Sequence, residues 1–530
     1  MHSIKVLDVT LRDGGCVNDF NFGKKYMDQI LSAEELSGVD YIELGYIDDT
    51  DGAYEGRTKF ISEKAAGDFV KNKKHNIEYL VMMDYGKFDV SKLSKASESR
   101  VDGIRLAFHR KNLRDIAIVG NEILNKGYKL FIQPMLTIHY TDKEILELID
   151  IVNNDLSKAS ALYLVDSFGE MRANDVERIL NIYDHNLNKE IGIGFHSHNN
   201  LQMSYANAIS LIRFPIDREI IVDSSILGMG KGAGNLNTEL LLEHLNLFYE
   251  KKYELLPLME VIDSVLSPLK AEYNWGYSIE YYLSSKYHIS PSYANYFYNK
   301  HSLSVKQLSE LLSCVDEEKK ISFDKEYARK IYREYKSRNL IDDNKAIDSL
   351  KKIISEKEVL LVAPGKNAMI YADRVKKAAQ GKNVIVIGVN NADLIKVDYL
   401  MVTRMDMFHE LEGSGIQMIA LSNITDDPSK VNTLLNYSRW TLYKDETRDS
   451  SGFVVLRLME YCEPKKIMLA GFDGLSYDIN DNYYDETMRF AYTKENINKN
   501  NELLKEYISE LKTKIEVEYI TPSLYEEKND

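Results

Sequence analysis

Cysteine is scarce. Cys16, Cys314 and Cys462 are the only three in 530 residues, they form no spaced pair, and they cannot all be paired with one another. A disulfide framework and a cysteine-ligated structural zinc are therefore excluded as organising features, and the scarcity fits a reducing compartment. Positive charge is also in deficit. Lys and Arg total 67 against 82 Asp and Glu, a formal net charge of −15, so the chain lacks the basic footprint that a nucleic-acid backbone or an anionic membrane surface requires. No apolar run approaches the roughly 18 to 20 residues that span a bilayer. The N-terminus, MHSIKVLDVTLRDGG, enters a strand-like pattern at once, without the apolar stretch of a signal peptide. These absences lead to the expectation of a cytoplasmic protein with neither nucleic-acid nor membrane partners. Low-complexity segments are missing too. What is present is an ordinary globular balance, 44% hydrophobic and 28% charged residues, in a chain long enough for roughly two to four domains.

From residue 4 to 226, short β-rich apolar runs alternate with longer amphipathic stretches. There are eight runs: IKVLDV (4–9), YIELGYI (41–47), IEYLVMM (77–83), GIRLAF (103–108), KLFIQPML (129–136), ALYLVD (161–166), IGIGFH (191–196) and IIVDSSI (220–226). Near-continuous apolar strands suit a parallel sheet buried on both faces. Eight β/α units in about 250 residues match a (β/α)8 barrel better than an open sheet. After residue 226 the chain becomes helical and rich in Tyr, Lys and Glu, and a second α/β pattern starts near 358 with five or six strands of a smaller Rossmann-like domain. The division expected is a barrel over 1–265, a helical appendage and connector over 266–350, and a second α/β domain over 351–530.

A barrel places its active site where the strands end on their C-terminal side, and polar residues cluster at all eight ends. Thr10, Arg12 and Asp13 follow the first, Glu43 lies in the second, and Asp84 ends the third. Arg105 and His109 belong to the fourth, Gln133 and Thr137 to the fifth, and Asp166 and Ser167 to the sixth. The seventh ends His196-Ser197-His198-Asn199-Asn200, and the eighth leads into Gly228-Met229-Gly230-Lys231-Gly232-Ala233-Gly234-Asn235. His196 and His198 alternate on an extended segment, so both imidazoles point the same way, as two ligands of one cation require. Asp13, at the strand that barrel closure brings near, supplies a carboxylate. Two neutral histidines and one carboxylate suit Mn²⁺, Mg²⁺, Fe²⁺ or Zn²⁺ with open positions for substrate.

The motifs LDVTLRDGG (7–15), GFHSHNNLQMSYANA (194–208) and GMGKGAGNLNTE (228–239), in this order, resemble the DRE-TIM metal-dependent aldolases and lyases. That group includes 4-hydroxy-2-oxovalerate aldolase, 3-hydroxy-3-methylglutaryl-CoA lyase, and the isopropylmalate and homocitrate synthases. The resemblance implies that Asp13, His196 and His198 are metal ligands and that Arg12 stabilises an enolate oxygen. It further implies that Asn235 binds or supports the metal and that Tyr281 is an active-site tyrosine in the appendage. The sequence also departs from the pattern. Where the aldolases carry a general-base histidine, this chain has Cys16, so the base is left among Cys16, Tyr281, His109, His139 and a water at the cation. The lyase branch's cysteine in the loop after the eighth strand has no counterpart, which disfavours 3-hydroxy-3-methylglutaryl-CoA cleavage.

In the C-terminal part, VLLVAPGKNA sets Gly365 in a turn between a strand and a helix, where backbone amides meet phosphate. Asn390 and Asp473 end later strands. Together Gly365, Asn390 and Asp473 form a candidate nucleotide or sugar-nucleotide site. This half distantly resembles the nucleotide-binding part of bacterial sialyltransferase-like and motility-accessory glycosyltransferase-like domains. The expected whole is a divalent-metal-dependent aldolase acting on a 2-oxo acid through a pyruvate-type enolate, working in bacterial surface-sugar biosynthesis, with a homodimer as the default assembly. An acyl-CoA-dependent Claisen condensing enzyme on the same barrel, and a sugar-nucleotide-binding protein with a non-catalytic barrel, are the alternatives.

Overall fold

A computed structural model describes residues 3–49, 55–299, 303, 305–338, 341–391, 393–425, 427–440, 450–485 and 494–526. The eight apolar runs become the parallel strands of a closed barrel. They are β1 (Ile4–Asp8), β2 (Tyr41–Ile47), β4 (Glu78–Asp84), β5 (Gly103–Phe108), β6 (Lys129–Pro134), β7 (Ala161–Asp166), β8 (Gly192–Ser197) and β9 (Ile220–Ser224). A two-residue strand, β3 (Lys59–Phe60), extends only the C-terminal end of β2. Closure is made by β1, which pairs with β9 along its length and with β2 through Leu7 and Asp8.

Side chains alternate between the two faces of each strand. Leu7, Tyr41, Leu80, Phe131, Tyr163 and Ile221 fill the barrel interior, while a larger apolar shell packs between the strands and the surrounding helices. The interior is full enough to dictate a glycine. A Cβ on Gly194 would stand 2.2 Å from the Tyr163 ring. Stepping two residues toward the mouth along each inward row leads from these apolar layers to Glu43, Gln133 and Asp223.

The second sheet is also wholly parallel, with seven strands. They are β10 (Glu358–Val362), β11 (Val384–Val389), β12 (Tyr399–Val402), β13 (Met418–Leu421), β14 (Thr433–Leu435), β15 (Lys466–Ala470) and β16 (Glu516–Tyr519). Their order, β14-β13-β12-β11-β10-β15-β16, reverses direction between β10 and β15. The count exceeds the expected five or six because β14 is three residues long, set between polar neighbours, and too short for periodicity to reveal. Two compact units emerge, Met1–Tyr296 with Leu312–Asp324, and Phe297–Leu311 with Lys325–Asp530. The segment 266–350 is thus divided between the two. Among the described residues no helix is long and apolar enough to cross a membrane.

Candidate metal centre at the barrel mouth

After β1 the chain turns tightly: Arg12 N and Asp13 N both donate to the Val9 carbonyl, at 3.1 and 2.8 Å. Asp8 braces the turn, accepting from Thr10 N (2.8 Å), Thr10 Oγ1 (2.5 Å) and Thr238 Oγ1 (2.5 Å). Arg12 and Asp13 are thereby presented side by side at the mouth. Asp13 Oδ2 lies 3.7 Å from Nε2 of both His196 and His198, and the three buried residues each bring one ligand atom within 4.8 Å of the others. Adjacent ligands bonded at about 2.1 Å to one cation stand about 3 to 3.4 Å apart in octahedral or tetrahedral geometry, so the spacing is within a few tenths of an ångström of that around a single divalent ion.

Each imidazole is fixed through its other nitrogen. His196 Nδ1 meets Asp223 Oδ2 at 2.9 Å, and His198 Nδ1 donates to the Lys231 carbonyl at 3.1 Å. Acceptors at Nδ1 hold the proton there and leave the Nε2 lone pair for the ion. Burial lowers His198 to about 4, which makes it the neutral, ligating form at pH 7. Burial opposes ionisation of Asp13, but Arg12, His198 and His196 outweigh it and hold the carboxyl well below its usual range. Asn235 donates Nδ2 to Asp13 Oδ2 at 2.5 Å, while its own Oδ1 is buried without a partner. This contact explains Gly230, where a Cβ would sit 2.4 Å from Asn235 Nδ2.

A ring of buried charges surrounds the triad. Arg12 donates Nε to Glu43 Oε2 (2.7 Å) and Nη1 to Asp13 Oδ1 (3.1 Å). Arg105 donates Nη1 to the same Glu43 oxygen (2.7 Å) and Nη2 to Asp223, and stacks over the Tyr163 ring at 5.0 Å. Three atoms of this ring are buried without a partner, Glu43 Oε1, Asp223 Oδ1 and Arg12 Nη2. Arg12 Nη2 is buried and has no partner in the protein, so a strong donor faces the mouth beside the triad.

The structure sorts the remaining candidates. Cys16 is exposed; its Sγ lies 3.8 Å from Asp13 Oδ1, and desolvation at the sulfur together with that carboxylate pushes the thiol up to about 12. Tyr281, on the helix Ile279–Lys286, comes to the glycine-rich loop after β9, where a Cβ on Gly232 would be 3.7 Å from its ring. His109 is exposed after β5. His139 Nε2 is bonded to Glu170 Oε1 at 2.6 Å, and His288 Nδ1 to Glu170 Oε2 at 2.7 Å. Glu170, His288 and Asp223 were not singled out from the sequence. Asp223 had a signal, its two-residue offset from inward Ile221 in the last strand, whereas Glu170 and His288 meet only through tertiary structure.

In the second unit, Gly365 and Asp473 are brought together at the point where strand order reverses. A Cβ on Gly365 would stand 2.7 Å from Asp473 Cγ. Asp473 Oδ2 accepts from Asn367 N at 2.7 Å, its Oδ1 is buried without a partner, and burial pushes the carboxyl up to about 6. Asn390, at the end of β11, is engaged locally. Its Oδ1 accepts from Thr403 N, and its Nδ2 donates to Thr403 Oγ1 and Ser451 Oγ, each at 2.8 Å.

The pattern of the HMGL-like family matches residues 3–265. The barrel half of the chain is an HMGL-like domain. Similar to it are the 4-hydroxy-2-oxovalerate aldolase of Bacillus thuringiensis (strain Al Hakam), 25% identical over 269 residues, which are 50% of this chain and 76% of that protein, and the enzyme of the same name from Carboxydothermus hydrogenoformans (strain ATCC BAA-161 / DSM 6008 / Z-2901), 26% identical over 275 residues, 50% of this chain and 77% of that protein. Among solved structures, the HMG-CoA lyase of Brucella melitensis aligns with 51% of this chain and 100% of its own, at 12% identity and a TM-score of 0.41. The HMGL-like domain carries the buried Asp13, His196 and His198 group at the mouth of the barrel, and the second unit lies outside the matched residues.

Proposed function

We propose that the barrel is a divalent-metal-dependent aldolase that makes or cleaves the C3–C4 bond of a 4-hydroxy-2-oxo acid through a pyruvate-type enolate. The observation that carries this reading is the buried, unpartnered Arg12 Nη2 beside the Asp13, His196 and His198 group. Asp13, His196 and His198 would hold the cation, Mn²⁺ or Mg²⁺ before Zn²⁺ or Fe²⁺, with Asn235 in support. Once bound, the cation supplies Lewis acidity toward the oxygens of the 2-oxo acid. In cleavage the 4-hydroxyl gives up its proton, the C3–C4 bond breaks, and its electron pair becomes the enolate of pyruvate as the aldehyde leaves. Protonation at C3 then completes pyruvate. Arg12 answers the growing enolate charge with Nη2, held in place by Glu43 and Asp13. Tyr281 borders the site from the appendage, with its ring close to Gly232 of the loop after β9. The names of the two aldolase relatives support this reaction class.

For the second unit we propose a nucleotide or sugar-nucleotide ligand between the ends of β10 and β15, serving surface-sugar biosynthesis. Asp473 already occupies the turn amide of Asn367, so this point favours a sugar hydroxyl as donor over a phosphate.

Elemental analysis together with Mn²⁺- or Mg²⁺-stimulated pyruvate release from 4-hydroxy-2-oxo acids tests the barrel reading. The expected result is about one divalent ion per chain, with metal and pyruvate release both lost in Asp13→Ala and His196→Ala while the circular dichroism spectrum is kept. Turnover that depends on acetyl-CoA, or no metal at all, would overturn it.

A further inference from the structure

Asp84 ends the inward row of β4 that starts in the apolar interior at Leu80, so its carboxylate is delivered to the barrel mouth. Its Oδ1 is buried and has no hydrogen-bond partner. The charges that act on it are Arg12, Lys87, Asp48 and Lys59. Two of these are committed elsewhere, since Lys59 pairs with Asp48 at 3.1 Å. Asp84 in turn acts on Tyr46 and Cys16, and the Arg12 guanidinium lies 5.7 Å from the Tyr46 ring. The carboxylate therefore belongs to the same mouth as the metal triad, on the side of β2 and β4. A buried carboxylate oxygen without a donor is costly to keep. Here the missing donor is one a ligand can bring.

We propose that Asp84 reads a hydroxyl of the aldehyde half of the substrate, so that the acceptor is a hydroxyaldehyde, a sugar-like fragment, and not an alkyl aldehyde. The inference rests on the aldolase reading and names its substrate class. An alkyl chain would leave Oδ1 unpaired against hydrocarbon, whereas an O–H satisfies it. Arg12 Nη2 and Asp84 Oδ1 then form an unpaired donor and an unpaired acceptor in one mouth, the first for the enolate oxygen and the second for the hydroxyl.

The test uses the full chain loaded with Mn²⁺ and compares the condensation of pyruvate with glycolaldehyde and with propionaldehyde. Wild type should favour glycolaldehyde in kcat/KM by about 100-fold, the scale of a hydrogen bond to a charged group. Asp84→Leu should bring the ratio to near unity, and Asp84→Asn, which can still accept an O–H, should keep part of it. Because the ratio is internal to each protein, a general loss of folded enzyme does not alter it. Deuterium exchange at C3 of pyruvate, which needs no aldehyde, is run on wild type. Normal exchange with a ratio that Asp84→Leu leaves unchanged would overturn the Asp84 assignment alone, and absent exchange would overturn the aldolase reading and this inference with it.

Discussion

Asp223 decides which way His196 faces. Its carboxylate takes His196 Nδ1 at 2.9 Å and also binds Arg105, which in turn reaches Glu43 and, through it, Arg12. Burying several ions together adds little stability by itself, yet removing one partner leaves an uncompensated charge and costs about 3 to 5 kcal/mol. The ring is better understood as a jig that fixes orientation. Asp223→Asn keeps an acceptor for His196 but strips the counter-charge from Arg105. We expect metal affinity in that variant to fall by about 10- to 100-fold, the usual effect of losing a residue that orients a ligand. Isothermal titration of the metal-free protein with Mn²⁺ measures it, and an unchanged affinity would show that His196 needs no such support.

At the scale of elements, the appendage is pinned over the barrel at several places. Trp275 Nε1 donates to the Leu227 carbonyl (3.1 Å), Ser285 Oγ to the Phe168 carbonyl (2.7 Å), and His288 to the fully buried Glu170 (2.7 Å). The hydrogen bond to Glu170 raises His288 above its ordinary 6.5. Burial opposes ionisation of Glu170, but the bonds from His139 and His288 hold it below its ordinary 4.5. A raised histidine contributes stability that is present below 6.5 and lost as pH rises through its folded value, while a lowered carboxyl contributes above 4.5 and is lost as pH falls. The clamp is therefore strongest between about pH 4.5 and 6.5. His139, Lys320 and Asp175 also face this pair. Hydrogen exchange of residues 279–296 should speed up as pH is raised from 6 to 9, beyond the intrinsic rate increase. In His288→Ala the excess should vanish; an equal excess in that variant would assign the effect to another group.

For the whole molecule, two compact units with separate cores, one around the barrel and one around the seven-stranded sheet, predict unfolding that is not two-state. Calorimetry should resolve two transitions. A ligand that binds one folded unit stabilises that unit alone, by about 2.7 kcal/mol at a hundredfold excess over its dissociation constant. Mn²⁺ should therefore raise the midpoint of one transition and leave the other in place, and Asp13→Ala should abolish the shift. A single transition that moves with metal would mean that the units unfold as one.

The linear order of residues carried the barrel. Eight apolar runs, each buried on both faces, call for a parallel sheet covered by helices, their number and the length of about 250 residues favour closure into a barrel, and all eight became strands close to the expected positions. Asp13, His196 and His198 were also legible, because a strand end and a spacing of two suffice to aim them. The parts settled by tertiary structure are those in which the partners come from distant elements and share no local signal. Glu170 meets His139 and His288 across 31 and 118 residues. Asp84 shows the division most clearly. Its place at a strand end is written in the alternation of β4, but that its Oδ1 lies buried with no donor follows only from how the neighbouring strands close around it.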